Sequence, residues 1–270
     1  MTFKLGRQKS APDIRQLKLA RYLIPGLLPP PPASLDMTVK MNRPFGFHLN
    51  DRLGCCVVAS AANAEETLTA NGEGIWMPTD DDVQKAYSDV TGYDPSQTDA
   101  NGYNPTDNGT DPVTFAKYWR KTGLGLVSSP KKPHKIGAWV QADATKPLEL
   151  QLGVMMYDFV WLGVSLPNAV LPREDGTVPN WVIPDGSESD PDWQPNPDNG
   201  HMVMSATYNP RGMIVQTWNQ DVLASWEFLD LCCDEPIIVL SEDILLPTGL
   251  SPAGFDLPTL RADLQRVVSQ

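Results

Sequence analysis

The period of apolar positions changes several times along the chain, and each change marks an element. Over 55–70, Val57, Val58, Ala61, Ala62 and Leu68 occupy most of a helical circumference, which predicts a helix buried on nearly all sides. Over 80–91 the apolar positions Val83, Tyr87 and Val90 fall on one stripe. Thr79 or Asp80 is placed to cap that helix, and acidic residues fill its first turn. A third helix is predicted over 112–121, with Pro112 at a suitable first position, and a fourth over 148–157. The run 159–166 then reads as a buried strand. Short strands are predicted over 201–208, 213–218, 226–229 and 236–240, with Asn209-Pro210-Arg211-Gly212 turning between the first two. A last amphipathic helix is predicted over 257–268, where Leu257, Leu260, Leu264 and Val267 share a face. No internal repeat is visible.

Two segments lack such a period. Residues 1–35 read as an extended arm with one short helix over 13–23, ended by Pro29-Pro30-Pro31-Pro32 in polyproline II. Residues 167–199 form a loop with seven prolines, seven acidic residues and one arginine, which cannot build a core of its own. It enters just before His201 and is expected to rim a cleft. Its Trp181 and Trp193 can contact a partner or fold back onto the body. The organisation is thus an arm, 1–35, followed by one α+β domain, 36–270.

Charge sharpens the division. The chain carries a net charge of −12, yet residues 1–43 sum to +6 and the remainder to −18. An acidic body argues against nucleic acid as a partner, since phosphate contacts need a basic face. The arm is therefore expected across the acidic body or a neighbouring subunit, the latter implying a homo-oligomer or larger assembly. No apolar run is long enough to span a membrane, and the amino-terminal residues do not form a signal peptide, so a cytoplasmic or virion location is expected.

Candidate chemistry is concentrated at two places. Four cysteines form two adjacent pairs, Cys55-Cys56 and Cys232-Cys233, a pattern of free thiols and neither a disulfide framework nor a zinc site. Asp99-Ala100-Asn101-Gly102 has the wrong spacing for a calcium loop, so no metal or organic cofactor is expected. The loop Asn50-Asp51-Arg52-Leu53-Gly54-Cys55-Cys56 runs straight into the buried helix, where unpaired N–H groups favour a thiolate. His201 opens a strand 145 positions after Cys56. Cysteine first and histidine at that distance is the order of a thiol nucleophile and its base. His48 and His134, in Pro- and Lys-containing loops, read as surface residues.

These residues resemble the papain-like cysteine peptidases. Asn50, Gly54 and Cys56 fall where that family has a Gln, a Gly and the nucleophile. His201-Met202-Val203 is similar to its His-Ala-Val, and Gln216-Thr217-Trp218-Asn219 to its Asn-Ser-Trp-Gly. A similar Asn-Asp-Arg-x-Gly-x-Cys loop and Thr-Trp motif occur in compact papain-fold proteins of bacteria and phages. The resemblance covers roughly residues 36–245 and implies a helical lobe and a strand-rich, barrel-like lobe meeting at a cleft. It implies Cys56 as nucleophile, His201 as base, Gln216 or Asn219 as the group orienting the imidazole, and Asn50 with the Cys56 N–H as oxyanion donors. Asn108-Gly109 is similar to the family's substrate-aligning glycines, or is an ordinary turn. Asn50, Gln216 and Val57 replace the family's Gln, Asn and Trp.

Two functions follow from this resemblance. One is acyl transfer to water from a peptide or isopeptide carbonyl of a peptide or protein substrate. The other is a structural or interaction protein on the same fold, such as a phage virion or assembly component. The arm, the acidic rim and the altered signature residues are the features that suggest it.

Overall fold

A computed structural model describes residues 3–11, 17–24, 27–41, 44–72, 74–187 and 189–241, together with 259 and 262. The helices are α1 (Cys56–Asn71), α2 (Asp80–Thr91), α3 (Pro112–Lys121), α4 (Pro147–Tyr157) and α5 (Trp226–Cys232). The strands are β1 (Leu35–Asp36), β2 (Ile136–Gln141), β3 (Val160–Ser165), β4 (Gly200–Asn209), β5 (Gly212–Thr217), β6 (Gln220–Ser225) and β7 (Cys233–Ser241). Six strands lie in the order β2-β7-β3-β4-β5-β6, all pairings antiparallel, and β1 adds to β4 beyond the end of β3. The α+β class expected from the residue pattern is the one observed.

Alternation along the central strands builds two cores. Trp161 of β3, Met202, Met204 and Ala206 of β4, and Ile237 and Val239 of β7 face one way. They pack with Val57, Val58, Ala61, Leu68, Val83, Phe115 and Trp119 from α1, α2 and α3. Val160, Leu162 and Val164, Val203, Ile238 and Leu240 face the other, against residues of α4, α5, β5 and β6. A strand buried on both faces must be apolar at odd and even positions alike, as β3 is. Leu19 and Tyr22 from the amino-terminal segment are fully buried in the second core.

The local signals explain the helix boundaries. Thr79 and Asp82 form a reciprocal capping box on α2, and the Asp111 carboxylate accepts from Thr114 N at the start of α3. In the core the polar ends of two indoles are met by α1. Trp161 Nε1 donates to Ser60 Oγ at 2.7 Å, and Trp119 Nε1 donates to Glu65 Oε1 at 2.9 Å.

Several expectations are corrected. The stretch expected as a strand over 226–229 is helix α5. Its Trp-Glu-Phe-Leu alternation mimics a strand, but the Ser225 hydroxyl caps a helix by accepting from Phe228 N, and Phe228, Leu229 and Cys232 share its buried side. Strands β2 and β6 were not foreseen; β6 opens on polar Gln220-Asp221. Leu19–Arg21 forms a single 3-10 turn, while residues 12–16 of the expected short helix lie outside the described residues. The expected helix over 257–268 lies outside them as well. Trp181 folds back: it is fully buried and packs on Phe228 at 5.2 Å. Among the described residues no helix is long and apolar enough to cross a membrane.

Ser60 serves two partners at once, donating to Cys56 O at 2.7 Å and accepting from Trp161. Ser60→Ala therefore leaves the indole N–H without a partner in a dry core, which costs about 1–3 kcal/mol. A chemical denaturation series should show the midpoint falling with an unchanged slope; an unchanged midpoint contradicts this account of the core.

Candidate functional site

The site forms where β4 separates the two cores. Met202 faces α1, and His201, one residue earlier, turns to the strand-rich side. Cys55 is the N-cap of α1 and Cys56 its first residue, so the Cys56 N–H has no partner within the helix. The Cys56 thiol sits beside the backbone N–H groups of Met202, Val57 and Gly6. Cys55 points inward, its thiol donating to His48 O at 3.4 Å. Both are free thiols, as are Cys232 and Cys233, each buried.

His201 is held on two sides. Its ring stacks on Trp218 with centroids 4.2 Å apart and planes 12° from parallel, and its Nε2 lies 2.8 Å from Thr217 Oγ1. Nδ1 is buried without a hydrogen bond. The group at Nε2 is thus the Thr217 hydroxyl, not the Gln216 or Asn219 amide. Side chains on β5 alternate, so with Thr217 turned to the imidazole its neighbour Gln216 turns away. Gln216 lines a separate recess with Asn219, Phe45 and Asp221. Trp218 and Asn219 form the two-residue turn between β5 and β6, both in left-handed conformations, φ 46° and 59°.

Asn50 is fixed by a strained approach. His48 and Leu49 before it are both left-handed, at φ 47° and 67°, which costs about 1–2 kcal/mol per residue. The turn aims the Asn50 amide, which donates to Leu53 O at 3.0 Å and to Lys4 O at 3.1 Å. Sequence reading missed Asp107 and Tyr87, which lock the adjoining loops. Asp107 accepts from Gly54 N and from Tyr87 OH, and that hydroxyl accepts from Gly109 N at 2.8 Å. Their only signal was a polar residue and a tyrosine on a stripe otherwise assigned to packing.

The amino-terminal segment runs through this site. Lys4 N donates to Asn50 O, Arg7 N to Gly200 O, Thr110 N to Gly6 O and Gln8 N to Thr110 O. Trp218 Nε1 donates to Lys4 O at 3.3 Å, and Phe3 packs on Trp218. Asn108 O accepts from the Gln8 side chain, and Gly109, at φ 72°, lies so close that a Cβ there would stand 2.0 Å from Gly6 O. A Cβ on Gly6 would stand 1.9 Å from Gly54 O. Backbone therefore meets backbone over Cys56 at distances that only glycine permits.

Covered in this way, the thiol and the imidazole are both neutral near pH 7. Burial pushes the Cys56 thiol up to about 11, against the pull of the Met202 and Gly6 N–H groups and of Arg7. Burial, aided by Arg7, pushes His201 down to about 3. The other histidines are not on the surface. His48 and His134 are 6% and 9% exposed; His48 Nε2 lies 3.1 Å from Glu66 of α1, and His134 stacks on Trp76 near Glu65. Among the described residues no group of three or more His, Cys, Asp or Glu is disposed to hold a metal ion.

No protein-family model matches the sequence, and no curated protein does. Solved structures do. Xylellain, a cysteine protease from Xylella fastidiosa, superposes with a TM-score of 0.62 at 16% identity, over 88% of this chain and 96% of that one. A procathepsin B from Trypanosoma congolense gives 0.51 at 10% identity, over 88% and 86%. A structure from the study of the mite allergens Blo t 1 and Der p 1 gives 0.52 at 12% identity, over 84% and 76%. This chain thus has the papain-like fold that these structures share.

Proposed function

We propose that the chain is a cysteine peptidase, or amide hydrolase, whose own amino-terminal segment covers its cleft. Cys56 gives its proton to His201 Nδ1 and attacks the substrate carbonyl. The oxyanion accepts from the Cys56 N–H and the Asn50 amide. His201 returns the proton to the leaving nitrogen, and water then releases the acyl group from sulfur. Thr217 orients the imidazole, and Trp218 keeps that contact dry. The observation that carries this reading is a buried imidazole held at one nitrogen, with the other open, on the residue just before Met202, whose N–H lies beside a thiol at a helix start. Asn50 already donates to a peptide carbonyl, Lys4 O, which supports its role as a donor.

Activity in the uncovered protein should separate these roles. Cys56→Ser should abolish peptide cleavage while the melting temperature is retained. Thr217→Val should lower kcat about 10- to 100-fold, the loss expected for one buried hydrogen bond in the transition state. Gln216→Ala should leave kcat near that of the parent. Steady-state kinetics with a peptide library decide the matter; a library untouched by the uncovered protein leaves the structural-protein reading in place.

Uncovering is itself testable. Gly6→Val cannot be accommodated under Gly54 O, so it should expel the segment. In the wild type a thiol pushed up to about 11 is almost wholly protonated near neutrality. Alkylation of Cys56 by iodoacetamide should accordingly accelerate only as pH rises beyond about 9. In Gly6→Val, water and an imidazolium partner lower the thiol, and alkylation at pH 7 should be at least about tenfold faster. Equal rates and identical pH profiles in the two proteins contradict the cover.

A further inference from the structure

Asp107 takes no part in the chemistry above, yet it ties the loop leading into Cys56 to the loop on which the amino-terminal segment lies. Gly54 N donates to both of its oxygens, at 3.0 and 3.2 Å. Tyr87 OH, from the buried side of α2, donates to Oδ1 at 2.7 Å and accepts from Gly109 N at 2.8 Å. Burial, and then the Asp107 carboxylate, push the Tyr87 hydroxyl far above its ordinary value. Its proton therefore stays on the Asp107 side, and a lone pair stays turned to Gly109 N. Asp107 is itself presented by a braced turn. Its N–H donates to Asn104 O, and the buried Asn104 side chain accepts from Thr106 N and donates to Asp94 O.

We propose that Asp107 is a positioning residue with two arms. Through Gly54 it sets the start of α1, where the Cys56 N–H faces the oxyanion. Through Tyr87 it sets Gly109 and Thr110, the wall on which an extended peptide lies. The inference rests on the peptidase reading for the words oxyanion and turnover. The wall already holds the amino-terminal segment: Thr110 N donates to Gly6 O, and Thr110 O accepts from Gln8 N. Those bonds use backbone alone, so a peptide of another sequence can make them.

Both residues that Asp107 and Tyr87 hold are glycines, with no side chain of their own to fix them, and Gly109 is left-handed at φ 72°. A charge-assisted bond to Gly54 and a buried hydroxyl on Gly109 replace the packing that a side chain would give. The two arms act at different stages. Hydrogen bonds to the oxyanion strengthen in the transition state, so a shifted Gly54 lowers kcat. The wall holds a peptide backbone equally in the ground and transition states, so a shifted Gly109 raises KM and spares kcat.

Steady-state kinetics in the uncovered Gly6→Val chain, with the library peptide it cleaves best, separate the arms. Asp107→Ala should lower kcat at least about tenfold and raise KM. Asp107→Asn keeps an amide oxygen for both donors to Oδ1, and should recover kcat to within about threefold of the parent. Tyr87→Phe should raise KM about three- to tenfold with kcat within about twofold. An Asp107→Ala chain that only melts lower, or a Tyr87→Phe chain that loses as much kcat, overturns the proposal. Should Asp107→Ala fail to fold, the comparison of Tyr87→Phe with Asp107→Asn carries the test.

A second readout needs no turnover, because the segment is itself a peptide on the wall. In the full chain Arg7 also anchors it, its guanidinium meeting Asp234 and Glu235 at the start of β7. Tyr87→Phe should therefore loosen the cover without expelling it. Iodoacetamide should then alkylate Cys56 at pH 7 about three- to tenfold faster than in the wild type. Turnover by the uncovered parent, with both Tyr87→Phe readouts unchanged, sinks this inference and leaves the peptidase. No turnover by the uncovered parent, with faster alkylation in Tyr87→Phe, sinks the peptidase reading and keeps Asp107 as the brace of the wall.

Discussion

Everything at the cleft depends on one strand serving two cores. β4 is buried on both faces, and its period of two assigns Met202 and Met204 to the helical side and Val203 to the other. A slip of one residue would exchange these sets and bury neither correctly, so the register is pinned by apolar area on both faces. His201 inherits that precision. Its ring falls on the Trp218 side while the next N–H falls beside the thiol of α1. The thiol and the imidazole are each placed by packing, before any polar contact is considered.

A second constraint is steric. Gly6, Gly54, Gly109 and Gly200 let the amino-terminal main chain lie against three other stretches of main chain with no side chain between them. Such closeness excludes water from the thiol and imidazole, which is why both rest neutral under the segment. The same closeness makes the cover selective for shape: most residues in place of Gly6 have nowhere to put Cβ.

Much of this was legible in the residues. The buried helix after Gly54, the capped helix 80–91 and the Pro112 start each carry a local signal that agrees with the tertiary environment. Cys56, His201 and Asn50 could be singled out because their setting is local, a loop entering a helix or a residue opening a strand. Thr217 was passed over for Gln216 because choosing between neighbours on a strand requires knowing which face it buries. His48 and His134 were misplaced for a related reason: their partners, Glu66 and Glu65, lie on the buried face of α1, where a sequence gives no cause to expect carboxylates. The course of the arm was beyond reach, since its register is set by backbone contacts with residues 50, 110 and 200 and by no pattern of its own.

The span between Arg7 and Glu235 is 228 residues, almost the whole described chain. During synthesis the segment that lies across the site emerges long before the carboxylates that receive it. Until β7 closes beside β3, Arg7 has no counter-charge and Gly6 no groove. Closure of so long a loop is entropically slow to be rewarded, although its free-energy cost grows only logarithmically with length. The segment is thus tethered to the cleft from the moment the cleft exists, at an effective concentration no free peptide matches. The order of the chain, rather than any added affinity, ensures that the site is born occupied.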